Sequence, residues 1–377
     1  MSSDKIAMCD LKGQYEKIKT EVDSAIQNVL SSTAFVKGKD VGDFQDELAK
    51  YIGAKHVIGC ANGTDALQIA LMALGLKPGD EVITPDFTFI ATVEVVALLG
   101  LTPVLVDVEP DTYTISPEQL EHAITPKTKA IIPVHLFGQC ANMDAIMRIA
   151  NKHGIPVVED TAQALGARYT FADGTTRMAG TIGQLGTTSF FPSKNLGCYG
   201  DGGAIFTNDD ALADEIRAIA NHGMRVRYHH DRIGVNSRLD TIQAAILRVK
   251  LKHLDAYNQA RIAAADYYDS RFANCSHLIT PKRNPQSTHI FHQYTMCLQG
   301  VDREKFIKHL ADRGIPSMVY YPIPLHNQKA FVPYAHDGLH FPVSTQLAQT
   351  VLSLPMHTEF TPEKLRYVAD NVLDYFK

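Results

Sequence analysis

Short apolar runs alternate with longer segments of helical periodicity through the first half of the chain. The runs predict strands, and the periodic segments predict helices. Strands are predicted at residues 56–60, 81–85, 102–108, 130–134 and 155–160; helices are predicted across 11–48 around a loop at 33–38, at 64–74, after 86–92, at 117–123 and at 143–152. Strands that alternate with helices predict an α/β fold with a mostly parallel central sheet covered by helices.

The order of elements changes in the last third of the chain. A long helix over 239–272 is followed by a strand within 288–298 and by helices at 303–313 and 362–375. This mixed order predicts a smaller α+β lobe. We therefore expect a large α/β domain over residues 1–250 and a small C-terminal α+β domain over 251–377. Turn residues at 170–174 predict a hairpin, and the polar stretch 221–235 is expected to be mobile.

Composition argues against nucleic-acid-binding, membrane-spanning and disulfide-rich classes of protein. The chain has 377 residues, 45% of them hydrophobic, and a formal net charge of −5, which argues against a nucleic-acid partner. No apolar run reaches the roughly 18 residues of a membrane span. The first residues lack the features of a signal peptide, and the six cysteines form no Cys-x-x-Cys pair. We expect a cytoplasmic protein without a membrane segment, a disulfide scaffold or a bound metal.

One lysine occupies an unusual setting. Lys194 follows Phe190, Phe191 and Pro192 in a turn rich in Ser and Thr, which is closed by a glycine-rich segment at 200–203. A shielded lysine amine tends toward neutrality, and neutral lysines form Schiff bases with aldehydes, above all with pyridoxal phosphate (PLP). The alternative is a surface-loop lysine whose stem packs on apolar neighbours.

Upstream of this lysine, the sequence contains an acid that could bind the pyridine nitrogen of PLP. PLP needs a carboxylate at its pyridine nitrogen, and the buried strand ending in Glu159 and Asp160 supplies two. Adjacent strand residues point to opposite faces, so one of the two is expected in the site, and we favour Asp160. The alternative is that Asp160 caps the following helix.

Two other segments are candidate anion sites. The helix that starts near Gly63 and Thr64 presents free N–H groups suited to a phosphate, although an ordinary capped helix gives the same pattern. The stretch 221–235 carries Arg225, Arg227 and Arg232. It is interpreted as an arm for the diphosphate of a nucleotide, with a solvated loop as the alternative.

Five motifs in this order resemble the DegT/DnrJ/StrS family of PLP-dependent sugar aminotransferases, which have PLP fold type I. The motifs lie at residues 62–67, 159–163, 189–194, 200–204 and 236–240. The resemblance extends from Asp10 to His357. It implies a homodimer with shared active sites, and Lys194 and Asp160 as the catalytic residues. The cofactor-binding residues that it implies are Gly63, Thr64, Phe89, Asp160, Gln163, Ser189, Lys194 and Asn236.

The resemblance also assigns individual roles. It places Phe89 on the cofactor ring, Gln163 near its phenolic oxygen and Ser189 at its phosphate. Asn236 crosses to the partner's phosphate in the family. Arg238 is expected to bind an acidic group of the substrate, with Tyr320 and Tyr321 as further substrate contacts. From the sequence alone, an aromatic residue at the position of Phe89 is more often part of the core, and the alternative for Arg238 is an ion pair to Asp231 or Asp240.

Within the family, residues 227–230 and 321–325 resemble enzymes that aminate UDP-2-acetamido-2-deoxy-3-oxo-glucuronate for surface polysaccharides such as lipopolysaccharide, with L-glutamate as donor. The chain departs from that subgroup at Tyr320, where the subgroup has histidine. Alternatives are the same chemistry on a dTDP- or UDP-linked 4-keto-6-deoxy sugar, and a non-enzymatic regulatory protein. A dinucleotide oxidoreductase is disfavoured because no Gly-x-Gly-x-x-Gly follows a strand.

Overall fold

The computed structural model describes residues 6–334 and 340–377. Two helices open the chain, α1 (Leu11–Ser32) and α2 (Lys39–Ile52), on either side of the predicted loop. Asp10 caps α1 by accepting a hydrogen bond from the Gly13 N–H at 2.8 Å. Both helices pack against a later helix, α8 (Thr241–Leu251).

The central sheet is mostly parallel, as predicted. Its strands in chain order are β1 (His56–Cys60), β2 (Glu81–Pro85), β3 (Thr102–Val106), β4 (Thr128–Ile131), β5 (Val158–Asp160), β8 (Leu185–Ser189) and β9 (Gly203–Thr207). Isolated parallel bridges at Ile131 and Val134 join β4 to β5, which gives the spatial order β1-β9-β8-β5-β4-β2-β3. β9, which the sequence patterns did not predict, runs antiparallel to β1 and β8.

Helices cover both faces of the sheet. Val57 and Ile58 are neighbours on β1 but belong to different core clusters, because successive strand residues point to opposite faces. The helices that follow these strands in the chain are α3 (Gly63–Ala73), α4 (Ala91–Leu98), α5 (Pro117–His122), α6 (Met143–His153) and α7 (Asp210–Ile219). Ile58 packs with α3, α4 and α7, whereas Val57 packs with α2 and α8. Such two-sided burial explains why β1 carries apolar residues on both of its faces.

Two small hairpins project from this region. β6 (Arg168–Thr170) pairs antiparallel with β7 (Thr176–Met178), which confirms the turn predicted at 170–174. β10 (Met224–Val226) pairs with β11 (His229–His230) inside the stretch that was expected to be mobile. The side chains of this second hairpin are mostly exposed.

The C-terminal part contains a smaller antiparallel sheet. Its strands are β12 (Leu278–Ile279), β13 (Tyr294–Leu298) and β14 (Val351–Leu354), and its helices are α9 (Leu254–Phe272), α10 (Arg303–Ala311), α11 (Pro342–Thr350) and α12 (Pro362–Asp374). Helices α9, α10 and α12 bury one shared apolar cluster against β13 and β14. Ile6 belongs to the same cluster, so the start of the described chain also packs here. The division at residue 250 stays a prediction.

Some predicted boundaries differ from the structure. The helix expected over 239–272 is broken at Lys252 and His253, because α8 packs on α1 and α2 whereas α9 packs on α12. The strand expected within 288–298 lies inside that range, at Tyr294–Leu298, and the Ile290 N–H before it donates to the Gly138 carbonyl at 2.8 Å. The strand expected at 130–134 spans Thr128–Ile131. No helix within the described ranges is long and apolar enough to cross a membrane.

Candidate active site

Three strands of the parallel sheet end at one edge with polar residues. Asp86 follows β2, Asp160 ends β5, and Ser189 ends β8, which is parallel to β5. Because the carboxyl ends of parallel strands open onto a common crevice, this edge is the expected place for a ligand. Lys194 lies in the turn that follows Ser189.

The turn holds Lys194 by backbone hydrogen bonds. The Lys194 N–H donates to the Phe191 carbonyl at 2.8 Å, and the Cys198 N–H donates to the Phe190 carbonyl at 2.8 Å. Desolvation lowers the pKa of the Lys194 amine from 10.5 to about 8, and the nearby Asp160 carboxylate opposes this shift. The setting favours a shielded amine over a surface-loop lysine.

Asp160 keeps its carboxylate at the same edge. Its side chain is buried, with 7% of the residue exposed. One oxygen, Oδ2, accepts from the Thr92 hydroxyl at 2.9 Å, and Oδ1 accepts from the Ala162 N–H at 3.1 Å. The second bond resembles the predicted alternative of a local cap. Because a carboxylate has about four acceptor positions, both oxygens retain capacity for a further donor.

Glu159 faces away from Asp160 and is saturated by donors. Its carboxylate accepts from three backbone N–H groups, those of Gly180 at 2.9 Å, Ile182 at 2.6 Å and Gly183 at 2.7 Å. His135 Nε2 lies 2.8 Å from the same carboxylate. This carboxylate ties the end of β5 to the loop before β8 and thereby supports Asp160 from behind.

The start of α3 lies against Ser189. Asn62 caps the helix by accepting from the Asp65 N–H at 2.8 Å, and the N–H groups of Gly63 and Thr64 have no helical acceptor. A Cβ atom on Gly63 would lie 2.7 Å from the Ser189 Cβ. The absence of a side chain at Gly63 therefore allows a helix N-terminus and a serine hydroxyl to approach each other, an arrangement suited to a phosphate.

Residues from the C-terminal part complete the crevice. Gln163 accepts from the Phe137 N–H at 2.7 Å and donates through Nε2 to the Tyr321 hydroxyl at 3.1 Å. The rings of Tyr321 and Phe89 have centroids 6.2 Å apart, and the Tyr320 ring lies 6.0 Å from that of Tyr321. Phe89 is 54% exposed, so the alternative that it is a core residue is wrong.

Asn236 and Arg238 lie outside these contacts. Asn236 is exposed, and its backbone forms a bridge with Asn221. Arg238 forms no ion pair with Asp231 or Asp240 within the described ranges, so both alternatives for it are wrong. Its guanidinium is left without a protein acid in the described part of the protomer.

The basic hairpin is partly neutralised. Arg225 Nη2 lies 2.9 Å from a Glu215 oxygen, and Arg232 pairs with the same carboxylate. Arg227 instead lies over the Tyr228 ring, 5.0 Å from its centroid. Of the three arginines that suggested an anion-binding arm, two are therefore paired with Glu215 of the preceding helix α7.

The sequence patterns missed several residues around the lysine and the aspartate. Thr92 lies in the first turn of α4, after the end of β2, and a hydroxyl at such a position is a usable signal. His292 Nδ1 lies 3.3 Å from the oxygen of Asn195, the residue after Lys194. Burial lowers the pKa of His292 well below its ordinary value, with the charges of Lys194 and Arg261 adding to the effect. No short motif links such distant residues.

The residues at this edge fit PLP. A desolvated amine suits an aldehyde, a buried carboxylate with spare acceptor capacity suits a pyridinium N–H, and a helix N-terminus beside a serine suits a phosphate. Phe89 offers an exposed aromatic face next to these groups.

Comparison with known proteins agrees with this geometry. Residues 16–373 match the model of the DegT/DnrJ/EryC1/StrS aminotransferase family. The chain is 51% identical to a UDP-2-acetamido-2-deoxy-3-oxo-D-glucuronate aminotransferase of Pseudomonas aeruginosa, over 93% of this chain and 95% of that one. It is 45% identical to a UDP-N-acetyl-3-dehydro-alpha-D-glucosamine 3-aminotransferase of Acidithiobacillus ferrooxidans, over 97% of this chain and 96% of that one.

A solved structure extends the agreement to the fold and the cofactor. NtdA of Bacillus subtilis with bound cofactor PMP superposes with a TM-score of 0.90 at 32% identity, covering 99% of this chain and 86% of that one. The fold is thus that of PLP fold type I, as predicted, and the cofactor is PLP. The chain belongs to the DegT/DnrJ/EryC1/StrS aminotransferase family.

Proposed function

We propose that this aminotransferase moves the amino group of L-glutamate to the keto carbon of UDP-2-acetamido-2-deoxy-3-oxo-glucuronate, a precursor for surface polysaccharides such as lipopolysaccharide. The observation that carries the amino transfer is a desolvated Lys194 amine beside the buried Asp160 carboxylate at one sheet edge. The similarity to the Pseudomonas aeruginosa enzyme supports the choice of sugar.

Lys194 and Asp160 are the proposed catalytic residues. When bound, PLP supplies an electron sink that allows the amino group to pass from the donor to the acceptor. Lys194 would hold the cofactor and, once displaced by glutamate, would take and return the proton at the substrate carbon that carries nitrogen. An amine whose pKa is about 8 is suited to this because it accepts and releases protons near neutral pH. Asp160 would keep a proton on the pyridine nitrogen.

The remaining cofactor contacts come from the same edge. Gly63 and Thr64 would donate backbone N–H groups to the phosphate, with Ser189 adding its hydroxyl. Phe89 would cover the ring, which is supported by its exposed face beside Tyr321. Gln163 would donate near the phenolic oxygen.

Asn236 and Arg238 are proposed to serve the partner's site in a homodimer. Their side chains have no hydrogen-bond or ion-pair partner within the described part of the protomer, which supports a role outside it. A free guanidinium pairs well with a carboxylate, and the uronate supplies one. Tyr320 and Tyr321 are the proposed sugar contacts.

A cytoplasmic location is part of the proposal. All six cysteines are free thiols, and Cys60, Cys140 and Cys198 are buried. Free thiols persist in reducing compartments.

A second candidate acceptor is a 4-keto-6-deoxy sugar linked to dTDP or UDP. The observation that favours it is Tyr320, because the subgroup that the chain resembles has histidine at this position. A tyrosine offers a less basic group beside the sugar, which suits an acceptor without a carboxylate.

The test is a spectrum of the purified protein with PLP, recorded before and after L-glutamate and then after each keto sugar. We expect a visible band that glutamate bleaches and UDP-2-acetamido-2-deoxy-3-oxo-glucuronate restores. A band restored by the 4-keto-6-deoxy sugar alone would replace the proposed acceptor. A band that glutamate leaves unchanged would refute glutamate as the donor.

A further inference from the structure

A buried aspartate outside the cofactor contacts binds a segment that carries a substrate residue. Asp86, which follows β2, is fully buried. Its Oδ1 accepts from the His326 N–H at 2.7 Å, and its Oδ2 lies 2.7 Å from His326 Nδ1. Its backbone carbonyl accepts from the Leu325 N–H at 3.1 Å. Because a carboxylate only accepts, Nδ1 carries the proton.

These bonds fix one end of the segment that contains Tyr320 and Tyr321. The other end is fixed by Met318, which exchanges hydrogen bonds with Ser353 of β14 at 2.8 and 3.1 Å. Between the two anchors, Tyr321 reaches Gln163 with its hydroxyl. One anchor therefore belongs to the small sheet and the other to the central sheet.

The Asp86 anchor also lies next to the aromatic surroundings of Tyr321. Phe87 immediately follows Asp86, and its ring centroid lies 6.1 Å from that of Tyr321. The His326 ring stacks on Phe341 with centroids 4.5 Å apart. A carboxylate thus binds the edge of the imidazole, and a phenyl ring covers one of its faces. Because the His326 N–H is bound to the same carboxylate, the backbone at 325–326 has little freedom to move.

We propose that Asp86 and His326 are a positioning pair, which sets the place of Tyr321 and thereby the affinity for the keto sugar. This inference rests on the proposed function, in which Tyr321 contacts the sugar. Neither residue needs to touch the substrate or the cofactor. Their effect is transmitted through the short backbone segment from Tyr321 to His326.

A second strand-end aspartate provides a matched comparison. Asp107 follows β3 and accepts from the Ser344 hydroxyl at 2.6 Å and from the Val343 and Ser344 N–H groups at 2.9 and 2.8 Å. It therefore also ties a C-terminal element, the start of α11, to the central sheet. Its bonds do not involve the segment with Tyr321. Ser344→Ala removes one such bond and leaves the two backbone bonds in place.

The experiment compares His326→Leu, His326→Asn and Ser344→Ala with the unaltered enzyme. His326→Leu removes the bond to Oδ2, whereas asparagine offers an N–H near the position of Nδ1. We expect His326→Leu to raise KM for the keto sugar about tenfold, the size associated with one charge-assisted hydrogen bond. The bleaching rate with glutamate should stay within about twofold, because that half-reaction does not depend on the sugar contact.

His326→Asn should restore most of the affinity, and Ser344→Ala should leave KM unchanged. The keto sugar used is whichever one the unaltered enzyme converts, so a wrong choice of acceptor above does not affect the comparison. Equal losses in both half-reactions, or an unchanged KM with a lower melting temperature, would mean that the pair only stabilises the fold. A failure of His326→Asn to recover any affinity would mean that the imidazole itself acts on substrate. Either result overturns the proposal.

Discussion

Attachment of PLP to Lys194 should depend on pH in a way set by burial of the amine. Desolvation lowers the pKa of Lys194 from 10.5 to about 8. Only the neutral amine attacks an aldehyde. At pH 7, about one in ten amines with this pKa is neutral, against fewer than about one in a thousand for an ordinary lysine. The attachment rate should therefore rise about tenfold per pH unit up to about pH 8 and then level off.

The assay mixes cofactor-free protein with PLP between about pH 6 and pH 10 and follows the visible absorbance band. Lys250 is the natural control, because burial also lowers its pKa to about 8. Lys250 lies over the Tyr199 ring rather than beside Asp160. Lys194→Ala should abolish the band, whereas Lys250→Met should retain both the band and its pH profile.

Replacing Asp160 tests the direction in which its charge shifts the pKa of Lys194. The Asp160 carboxylate raises the pKa of Lys194, against the effect of desolvation. Asp160→Asn removes that charge and should move the midpoint of the profile to lower pH. In the unaltered protein, a PLP attachment rate that continues to rise beyond about pH 9.5 would refute a lowered pKa for Lys194. It would show that the Lys194 amine titrates like an ordinary, solvated lysine.

Three further substitutions test the supports of the site. Thr92→Val removes the 2.9 Å hydrogen bond to Asp160 Oδ2, and PLP affinity measured by equilibrium dialysis should fall about tenfold. Glu159→Gln places an amide among four donors, and the free energy of unfolding in urea should fall by about 3 kcal/mol. Gly63→Ala puts a Cβ 2.7 Å from the Ser189 Cβ. The affinity of this variant for PLP, followed by fluorescence titration, should fall by more than about tenfold. Its affinity for inorganic phosphate should not exceed that of the unaltered protein.

The sequence predicted β1 to β5 of the central sheet because these strands are buried on both faces. The runs His56–Cys60 and Glu81–Pro85 are short, mostly apolar and bounded by turn residues, and both match the structure. The break at His253 was not predictable, since the sequence there has neither glycine nor proline. It arises from tertiary packing, because the two halves of the expected helix pack against different partners.

Apart from the family resemblance, the residues of the candidate site were predictable only where they follow strand ends. Asp160 and Ser189 end parallel strands, so one rule of sheet topology brings them together. Tyr321 meets Gln163 across 158 positions of sequence, and His326 meets Asp86 across 240. Such contacts depend on how the C-terminal part docks on the sheet. Local periodicity carries no information about that docking.

The adjacent acids Glu159 and Asp160 differ in how many hydrogen-bond donors contact their carboxylates. Strand alternation separates the two acids onto opposite faces but does not decide which acid is available for chemistry. Hydrogen bonding does decide it. The Glu159 carboxylate has four donors in contact and no free acceptor position, which suits a structural acid. Asp160 has two donors, so one further N–H can bind without displacing a protein group. Of two adjacent buried acids, the less saturated one is the better candidate for catalysis.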